Sequence, residues 1–475
     1  MITNRISQLF AVVVNRWKRA CCLFFLCVTT AIASPAQTFT TLHIFDFSDG
    51  SLPYAGLIQA TDGNLYGTTF QGGTNGGGTA FKITPSGTLK TLYNFCSVSG
   101  CADGNALSGG LVQVGSGSLY GMTQQGGPNN GSGTVFKITL SGALTTLHNF
   151  DTTDGRYPYA GLVQAGQGNF FGTTYFGGAN SEGTVFKITP TGTLTTLHSF
   201  ANTDGIQPQA GLVQASDGNL YGTTQGGGTS NEGTVFKITP GGTLTTLHSF
   251  CSQTGCPDGS SLYAGLVQAT DGNLYGTTVL GGTGGEGTIF KITPGGTLTT
   301  LHSFDSTDGA QPYAGLIQAT DGILYGTTKF GGANNDGTIF KITLSGTLTT
   351  LHSFDATDGS YPYAALVQDT NGSFYGTTLT NGSNTSGTVF RLSVGLHPFV
   401  ETQTSSGKVG ATVKILGTKL TGATSVMFNG TAAVFKVKSG SLITTTVPQG
   451  ATTGFVSVTT PKGTLKSNRK FLVTR

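Results

Sequence analysis

Charged side chains are scarce in this 475-residue sequence, at 9% of all residues, whereas about 25% is usual for a globular chain. Apolar residues at the three- and four-residue spacing of an amphipathic helix are missing from every window. The low charge, with a composition rich in Thr, Gly and Asn, is typical of exported β-proteins. The missing helical pattern excludes a helical fold and an amphipathic membrane-binding segment.

Motifs for enzymatic chemistry are missing as well. The chain has no phosphate-binding loop and no metalloprotease spacing. A Ser/His/Asp site is assembled once, but nearly every His and Asp here recurs at a repeat position. We therefore predict no catalytic residues, no bound cofactor and a non-enzymatic protein.

Glycine is abundant, with 76 residues, and an internal repeat explains the excess. A Tyr-Gly or Phe-Gly step recurs every 50–54 residues, which gives seven copies. The glycines of this step are Gly67, Gly121, Gly172, Gly222, Gly276, Gly326 and Gly376. Each copy holds four phrases of strand length that are rich in Val, Thr, Phe, Tyr and Ile. Four strands per copy predict an all-β fold with a seven-bladed β-propeller over residues 37–393.

The turns favour a propeller over a parallel β-helix. Steps such as Asp62-Gly63 separate the first and second phrases, and we predict two-residue hairpin turns there. Triplets such as Pro85-Ser86-Gly87 separate the third and fourth phrases. Two tight turns per copy predict an up-and-down meander. The other connections are longer and share one side of the propeller, which we name the longer-loop face.

The two ends of the repeat array are incomplete in a complementary way. The seventh copy stops after its third phrase, residues 387–393, while residues 38–45 match the fourth phrase at 347–354. An open ring would expose unpaired strand edges. We predict that the N-terminal strand closes the last blade, which would bring Phe39 close to Val389.

The N-terminus predicts export. Basic residues precede an apolar stretch over residues 20–32, which is too short to span a membrane. Residues 1–36 are predicted to be a signal peptide, cleaved after Ala33 or Ala36. The mature chain is then a secreted or cell-envelope protein with no membrane span.

Four cysteines remain outside the signal segment, as two pairs with a separation of five residues: Cys96 with Cys101, and Cys251 with Cys256. Both pairs lie between the fourth strand of one copy and the first strand of the next. Neither loop holds a histidine that would help to complete a metal site. We predict two disulfides, which agree with an oxidising compartment.

Histidines and aspartates repeat with the copies. One position of the fourth strand is occupied by His43, His148, His198, His248, His302 and His352, and by Tyr93 in the remaining copy. The loop before the first strand carries Asp49, Asp103, Asp154, Asp204, Asp258, Asp308 and Asp358. Metal ligands lie about 2 Å from the ion, so side chains one blade apart cannot share it. We predict structural roles, a packing contact or hydrogen bond for the histidines and a turn for the aspartates.

The longer-loop face carries most of the residues that vary between copies. The predicted ligand-binding residues are Tyr54, Tyr159, Tyr263, Tyr313, Tyr363, Arg156, Tyr175 and Phe330. Exposed tyrosines can stack on a sugar, although inter-blade packing is the alternative explanation for a tyrosine at the start of a strand. Four acids at another repeated position are candidates for a calcium ion held by oxygen ligands: Glu182, Glu232, Glu286 and Asp336.

Charge divides the chain into two parts. Residues 37–393 contain 10 basic and 20 acidic residues, whereas residues 394–475 contain 10 basic residues and one acid. This separation predicts that the two parts are attracted to different partners. Different origins of the two parts would explain it equally well.

Two families resemble parts of this sequence. The phrases Ala-Gly-Leu-Val-Gln-Ala, Leu-Tyr-Gly-Thr-Thr and Gly-Thr-Val-Phe-Lys-Ile-Thr resemble the GloVer tandem repeats, of the choice-of-anchor type, in exported bacterial proteins. That resemblance implies an envelope or extracellular location and no established chemistry. After a linker at 394–397, residues 398–475 resemble an IPT/TIG immunoglobulin-like domain through segments such as 426–430 and 447–451. This second resemblance implies a β-sandwich that acts as a spacer or stalk.

These observations predict a secreted, non-enzymatic binding or adhesion protein. Its longer-loop face would bind a glycan or an extracellular protein, and its basic C-terminal domain would hold it at an anionic envelope surface. A secreted context argues against a nucleic-acid partner. A polysaccharide-acting hydrolase or lyase and a purely structural envelope component are the alternatives.

Overall fold

The computed structural model describes residues 37–115, 117–129, 131–165, 168–380 and 385–474. The predicted signal peptide lies outside these residues. They form seven four-stranded sheets and one nine-stranded sheet, which confirms the prediction of a seven-bladed propeller followed by a C-terminal β domain. In this part of the chain, no helix has the length and apolar character needed to cross a membrane.

Each blade is an antiparallel meander whose first strand is innermost. Blade 1 contains β2 (Ile58–Gln59), β3 (Leu65–Thr68), β4 (Thr79–Ile83) and β5 (Leu89–Asn94). Blade 2 contains β6 (Val112–Val114), β7 (Ser118–Thr123), β8 (Thr134–Thr139) and β9 (Leu144–Asn149). Blade 3 contains β10 (Val163–Ala165), β11 (Asn169–Thr174), β12 (Thr184–Ile188) and β13 (Leu194–Ser199). Blade 4 contains β14 (Val213–Gln214), β15 (Leu220–Thr224), β16 (Thr234–Ile238) and β17 (Leu244–Ser249).

The remaining blades repeat the same plan. Blade 5 contains β18 (Val267–Gln268), β19 (Leu274–Thr278), β20 (Thr288–Ile292) and β21 (Leu298–Ser303). Blade 6 contains β22 (Ile317–Gln318), β23 (Leu324–Thr328), β24 (Thr338–Ile342) and β25 (Leu348–Ser353). Blade 7 contains β26 (Val367–Gln368), β27 (Phe374–Thr378), β28 (Thr388–Ser393) and, as its outer strand, β1 (Thr38–Ile44).

The N-terminal strand closes the ring as predicted. β1 pairs with β28, so the strand order of blade 7 is β1-β28-β27-β26. The Phe45 N–H donates to the Gly387 carbonyl at 3.0 Å, and the Phe45 ring is fully buried. The Phe39 ring lies 5.3 Å from that of Phe390, the neighbour of Val389. The last blade therefore has no unpaired outer edge on β28.

The hydrophobic core lies between neighbouring blades. The cluster at the closing seam joins Phe45, Tyr375 and Val389 of blade 7 to Leu57 and Phe81 of blade 1. Six more clusters join the other neighbours in the same way. Because burial of apolar surface is the main favourable term in folding, each blade depends on both of its neighbours.

The hairpins on the face opposite the longer loops differ in detail from the prediction. Ala60 N–H donates to the Asn64 carbonyl, and Gly63 N–H donates to the Ala60 carbonyl, both at 2.9 Å. The loop therefore contains three residues, and only Gly63, with a φ of 81°, has a left-handed conformation. A type I turn followed by a left-handed glycine gives the same strand reversal as a two-residue turn. The meander is as predicted, but the two-residue turn is wrong.

The first-strand glutamines link neighbouring blades on this hairpin face. Gln113 Oε1 accepts the Thr61 N–H of blade 1 at 2.9 Å, and Gln59 Oε1 accepts the Thr370 N–H of blade 7 at 3.0 Å. A buried backbone N–H without a partner is costly. Gln268, Gln318 and Gln368 make equivalent bonds, so these glutamines satisfy turns of the neighbouring blades and connect the blades.

The repeated histidines and aspartates pair with one another. His148 Nε2 lies 2.7 Å from Asp154 Oδ2, and in the copy without histidine the Tyr93 hydroxyl donates to Asp103 at 2.9 Å. The other pairs are His43–Asp49, His198–Asp204, His248–Asp258, His302–Asp308 and His352–Asp358. The second carboxylate oxygen also accepts a backbone N–H of the same loop, as from Asp151 to Asp154 at 3.0 Å. The predicted structural roles are confirmed.

Both predicted disulfides are present, Cys96–Cys101 and Cys251–Cys256. A short 3-10 helix, η1 (Ser99–Cys101), lies in the first of these loops. The two loops lead into the inner strands of blades 2 and 5. Each disulfide therefore restrains a long connection on the longer-loop face.

The C-terminal domain consists of nine strands. They are β29 (Val400–Thr402), β30 (Ser406–Lys408), β31 (Thr412–Gly417), β32 (Ser425–Phe428), β33 (Thr431–Ala432), β34 (Phe435–Val437), β35 (Leu442–Thr446), β36 (Gly454–Thr460) and β37 (Gly463–Thr474). Side chains from both halves, such as Ile415, Ile443, Val426 and Val458, share one core. The domain is all-β, as predicted.

The layers of this domain differ from the immunoglobulin-like sandwich that the resemblance implied. The strand order β33-β32-β36-β37-β29-β31-β35-β34 is continuous, with β30 paired to β37. The reason is the length of β37, which has 12 residues. It pairs with β36 on one side and with β29 and β30 on the other. The two expected layers are thereby joined into one curled sheet.

The C-terminal domain packs on the hairpin face of the propeller. Gln403 Nε2 donates to Gln113 Oε1 at 3.1 Å, and the Ser441 hydroxyl donates to the Thr61 carbonyl at 3.0 Å. The Phe399 N–H donates to the Thr370 carbonyl of blade 7 at 3.0 Å. These bonds hold the domain to blades 1, 2 and 7. The longer-loop face stays uncovered by the described residues of this domain.

Candidate ligand-binding site

A cavity of about 440 Å³ lies on the longer-loop face, where the seven inner strands begin. Each blade contributes three consecutive residues that lie shortly before its first strand, such as Tyr313-Ala314-Gly315. The third residue of this triplet approaches the preceding blade closely. A side-chain carbon on Gly265 would lie 2.9 Å from the Gly211 carbonyl oxygen. Small residues at this position let the inner strands converge around one axial cavity.

The first residue of each triplet forms a ring at the mouth of this cavity, which we name the tyrosine ring. Its members are Tyr54, Ser108, Tyr159, Gln209, Tyr263, Tyr313 and Tyr363. All five tyrosines that the sequence predicted at one repeated position therefore lie around a single cavity. Ser108 and Gln209 occupy the same position in the other two blades and were not predicted.

Rigid local structure positions the tyrosines. In blade 6, Gln311 has a left-handed φ of 54°, and its N–H donates to the Glu286 carbonyl of blade 5 at 2.8 Å. Pro312 then fixes the backbone before Tyr313. Leu52, Ala106, Tyr157, Gln207, Ser261 and Tyr361 have the same conformation in the other blades. The ring position is thus set by a bond to the preceding blade and not by a free loop.

Four tyrosines form a continuous aromatic wall on one side of the cavity. Ring centroids are 4.8 Å apart between Tyr263 and Tyr313, 4.7 Å between Tyr313 and Tyr363, and 5.1 Å between Tyr363 and Tyr54. Tyr313 and Tyr363 are stacked, with an interplanar angle of 26°. We name these four residues the aromatic wall. Both explanations of the repeated tyrosine, ligand contact and inter-blade packing, therefore remain open, because the rings pack between blades and also line the cavity.

Burial keeps the tyrosines neutral. It raises the pKa of Tyr54, Tyr159, Tyr263 and Tyr313 above the ordinary value, and it raises the pKa of the deeply placed Tyr363 furthest. A neutral phenol can both donate and accept a hydrogen bond. The wall therefore offers flat apolar rings with hydroxyl groups at their edges.

A second ring consists of the residue three positions after the glycine of each Tyr-Gly or Phe-Gly step. Phe70 and Gln124 of this ring line the cavity directly. Gln225 connects two predicted residues, since it accepts the Tyr175 hydroxyl at 3.0 Å and donates to the Tyr263 hydroxyl at 2.7 Å. Tyr175 also packs against Tyr159, with ring centroids 5.0 Å apart. Alignment of the seven copies would have found the two glutamines, because Tyr175 occupies the same position.

Lys329 and Phe330 lie beside the aromatic wall. The Lys329 ammonium is 4.8 Å from the centre of the Tyr313 ring and 4.9 Å from that of Phe330. Burial lowers the Lys329 pKa. The Phe330 ring also packs against Tyr361 at 5.1 Å. Phe330 is therefore an outer neighbour of the wall and does not line the cavity.

Arg156 lies in a separate aromatic cluster on the same face. Its guanidinium carbon is 4.7 Å from the centre of the Tyr157 ring and 5.4 Å from that of Phe176. Phe176 in turn packs against Tyr175, with centroids 4.5 Å apart. The cluster touches the second ring through Tyr175, but Arg156 does not line the cavity.

The four calcium candidates are not brought together. Each belongs to a different blade, and its backbone carbonyl accepts an N–H of the next blade, as Glu182 does from Gln207 at 2.9 Å. Glu232, Glu286 and Asp336 make equivalent bonds. Among the described residues, no group of three His, Cys, Asp or Glu side chains could hold a metal ion. A calcium ion at these acids stays a prediction.

The chemistry of the cavity follows from its lining. Of the described residues that line it, none has a charged side chain; they are tyrosines, Phe70, small residues and the polar residues Ser108, Gln124 and Gln209. Its volume lies within the range of about 300–1,000 Å³ that is usual for small-molecule sites. The arrangement can stack a flat apolar surface and offer neutral hydrogen bonds.

The fold and this cavity define a class: a seven-bladed propeller with an axial, tyrosine-lined cavity and a β domain on the opposite face. The chain belongs to the Gloeobacter/Verrucomicrobia repeat family, which it matches over residues 28–216, 96–263 and 214–435. This match concerns the repeat and not a surface anchor, so the choice-of-anchor part of the resemblance stays a prediction. No curated protein matches the chain significantly in sequence.

Solved structures with a similar arrangement are distant. A periplasmic gluconolactonase from Pseudomonas aeruginosa is 18% identical, with a TM-score of 0.45, over 70% of this chain and 98% of that one. A putative 6-phosphogluconolactonase from Bacteroides fragilis is 19% identical, with a TM-score of 0.45, over 66% and 88%. An auxiliary nutrient binding protein from Bacteroides thetaiotaomicron is 11% identical, with a TM-score of 0.39, over 75% and 76%. At this distance they carry no argument about activity.

Proposed function

We propose that this chain is a secreted or surface-associated, non-enzymatic binding protein whose tyrosine ring holds a glycan. The observation that carries the proposal is the convergence of five tyrosines on one cavity without a charged lining residue. The face of an aromatic ring is electron-rich, so it attracts the weakly positive C–H groups on the flat side of a sugar. Neutral phenol, amide and hydroxyl groups then match the hydroxyl groups at the sugar's edge.

The main alternative is a hydrolase or lyase that acts on polysaccharide. Most glycoside hydrolases use a pair of carboxylates on either side of the scissile bond. The described cavity lining contains no Asp, Glu or His, so this alternative has less support. A purely structural envelope component is the third reading, and it predicts no ligand at the cavity at all.

The location and the C-terminal domain complete the proposal. Two disulfides favour an oxidising compartment outside the cytoplasm. We propose that the C-terminal domain is a divergent relative of IPT/TIG domains. Its ten basic residues against one acid would hold the protein at an anionic envelope surface.

A glycan array and a turnover assay on the same preparation test the function. Tyr313→Ala and Tyr159→Ala should each weaken glycan binding by about tenfold or more, since a stacked ring contributes both contact area and orientation. Tyr157→Ala is the matched control, because Tyr157 lies on the same face outside the cavity lining. Unchanged binding in both cavity variants would overturn the site, and turnover by the wild-type chain would favour the enzyme.

A further inference from the structure

Blade 2 departs from the repeat at several positions that meet at the cavity. It has Ser108 where five blades have tyrosine, Gly109 where the other blades have alanine, and Gln124 after its second strand. It also has Met122 where every other blade has threonine. Such threonines bond across the blade interface, as Thr223 does to the Ala264 carbonyl at 2.9 Å. Blade 2 therefore departs from most blades at Ser108, Gly109 and Met122. Blade 4 departs at the tyrosine position through Gln209 and, like blade 2, has a glutamine, Gln225, after its second strand.

The departures leave polar atoms of blade 2 without partners. Gln124 is only 6% exposed and lines the cavity, and its Oε1 has no hydrogen-bond partner among the described residues. Burial raises the pKa of Tyr159 of blade 3, and a hydrogen bond with the Gln124 side chain partly offsets this rise. Ser108 also lines the cavity, and its hydroxyl oxygen is buried without a partner among the described residues. A buried polar atom without a partner is destabilising.

The polar side of the cavity, formed by Ser108 and Gln124 of blade 2, follows a disulfide-restrained loop, as Tyr263 of the aromatic wall also does. The Cys96–Cys101 disulfide restrains the loop that leads into Ser108. A side-chain carbon on Gly109 would lie against the Ala160 carbonyl of blade 3, so blades 2 and 3 approach each other closely here. The cavity thus has two unlike sides, the aromatic wall of blades 5, 6, 7 and 1 and the polar side of blade 2.

We infer that blade 2 is the hydroxyl-recognition subsite of the cavity, and this inference rests on the proposed function. The occupant is a sugar residue that lies with one face on Tyr313 and Tyr363 and directs its hydroxyl edge to Ser108 and Gln124. Ser108 can donate or accept, and the Gln124 oxygen accepts. A sugar with two adjacent hydroxyl groups satisfies both atoms, whereas an apolar ligand leaves them unpaired.

The test uses the full chain and calorimetric titration with a fixed set of probes: cellobiose, maltose, xylobiose and chitobiose, followed by monodeoxy derivatives of any that bind. Ser108→Ala and Gln124→Leu should each weaken binding by about tenfold, because each removes one hydrogen bond to a desolvated hydroxyl. One monodeoxy derivative should bind the wild-type chain about tenfold more weakly than the parent sugar does. The Ser108→Ala variant should bind this derivative and the parent sugar with the same affinity.

Gln209→Ala is the matched control, because Gln209 is the other polar member of the tyrosine ring and lines the cavity two blades away from Ser108, in blade 4. It should change binding by less than about twofold, and all variants should melt like the parent. Equal losses in the Gln209 and Ser108 variants would overturn the inference. If Ser108→Ala and Gln124→Leu bind like the wild-type chain while Tyr313→Ala no longer binds, the inference is also overturned. The proposed function would then stand. If none of the probes binds the wild-type chain, both proposals fall.

Discussion

The two faces of the propeller are built from opposite ends of the same seven inner strands, but they use their polar side chains differently. On the hairpin face, the strands carry the glutamines Gln59, Gln113, Gln164, Gln214, Gln268, Gln318 and Gln368. Their amides bond to turns of the same or the neighbouring blade, as Gln318 does to the Thr270 N–H at 2.9 Å. On the longer-loop face, the rings of the aromatic wall pack on one another, and the Ser108 hydroxyl and Gln124 Oε1 have no hydrogen-bond partner among the described residues.

This difference separates residues that hold the ring from residues that are available to a ligand. A glutamine whose oxygen already accepts a neighbouring N–H has less capacity for a ligand, and the C-terminal domain packs over that face. The tyrosine position recurs in five of the seven blades, and Ser108 and Gln209 replace the tyrosine in the other two. Repetition alone does not distinguish the two faces; the partners of the residues at the repeated glutamine and tyrosine positions do.

The largest effect is expected from removal of the closing strand, which supports both faces. A chain that begins at Asp46 lacks β1 and the fully buried Phe45. Loss of one buried phenylalanine costs about 3–5 kcal/mol, so the melting temperature should fall by more than about 10 °C relative to a chain that begins at Gln37. Calorimetry should show one transition in which both faces are lost together.

Phe45→Ala in the complete chain is the graded version of this experiment, and it should fall between the two. A chain without residues 37–45 that melts like the parent would contradict the closure of the ring. Loss of only the N-terminal contacts, with an unchanged main transition, would contradict the dependence of every blade on both neighbours.

The sequence was sufficient to predict what recurs seven times. The blade count, the closing strand and the tyrosine position follow from alignment of the copies with one another, and the disulfides follow from the five-residue spacing of the cysteines in two loops. What it did not reveal was the convergence of Ser108, Gln124 and Gln209, because each looks like an ordinary polar substitution until the inner strands meet at the axis. The joining of the C-terminal layers by β37 was also missed, because strand pairing depends on which edges meet in space.

The second expected effect is on retention at an anionic surface, which tests the role of the C-terminal domain that packs on the hairpin face. Lys436 and Lys438 are exposed on the C-terminal domain, so reversing both to Glu should reduce retention on anionic phospholipid vesicles at about 0.05 M salt. At about 0.5 M salt, the difference should vanish because exposed charges are screened. Cosedimentation measures both conditions.

Lys414→Met is the control for this experiment, because Lys414 lines a cleft against Gln113 and Gly115 of blade 2. It should leave retention unchanged. Removal of residues 398–475 should abolish retention and leave sugar binding at the tyrosine ring in place. Retention that ignores salt in the wild-type chain would argue against surface adhesion through charge.

The smallest expected effect concerns Asp369, which lies on the hairpin face and differs from the residue at the same position of the other copies. The residue after the first-strand glutamine is Ala or Val in the other six copies. Asp369 is 1% exposed, and burial together with the nearby Glu401 raises its pKa to about 6. One carboxylate oxygen accepts the Asn371 N–H at 2.8 Å, and the other has no partner among the described residues.

The sign of the pH dependence follows from this raised pKa. The folded protein holds the Asp369 proton more tightly than the unfolded chain does, so the neutral carboxyl favours folding below about pH 4, and this contribution is lost as the pH rises through about 6. Asp369→Asn keeps the acceptor for the Asn371 N–H and cannot ionise. It should therefore raise the free energy of unfolding at pH 8 by on the order of 2 kcal/mol and have little effect at pH 4. Denaturant titrations at several pH values measure this difference. If the free energy of unfolding depends on pH in the same way in both proteins, the hairpin face does not bury an ionisable carboxylate at Asp369.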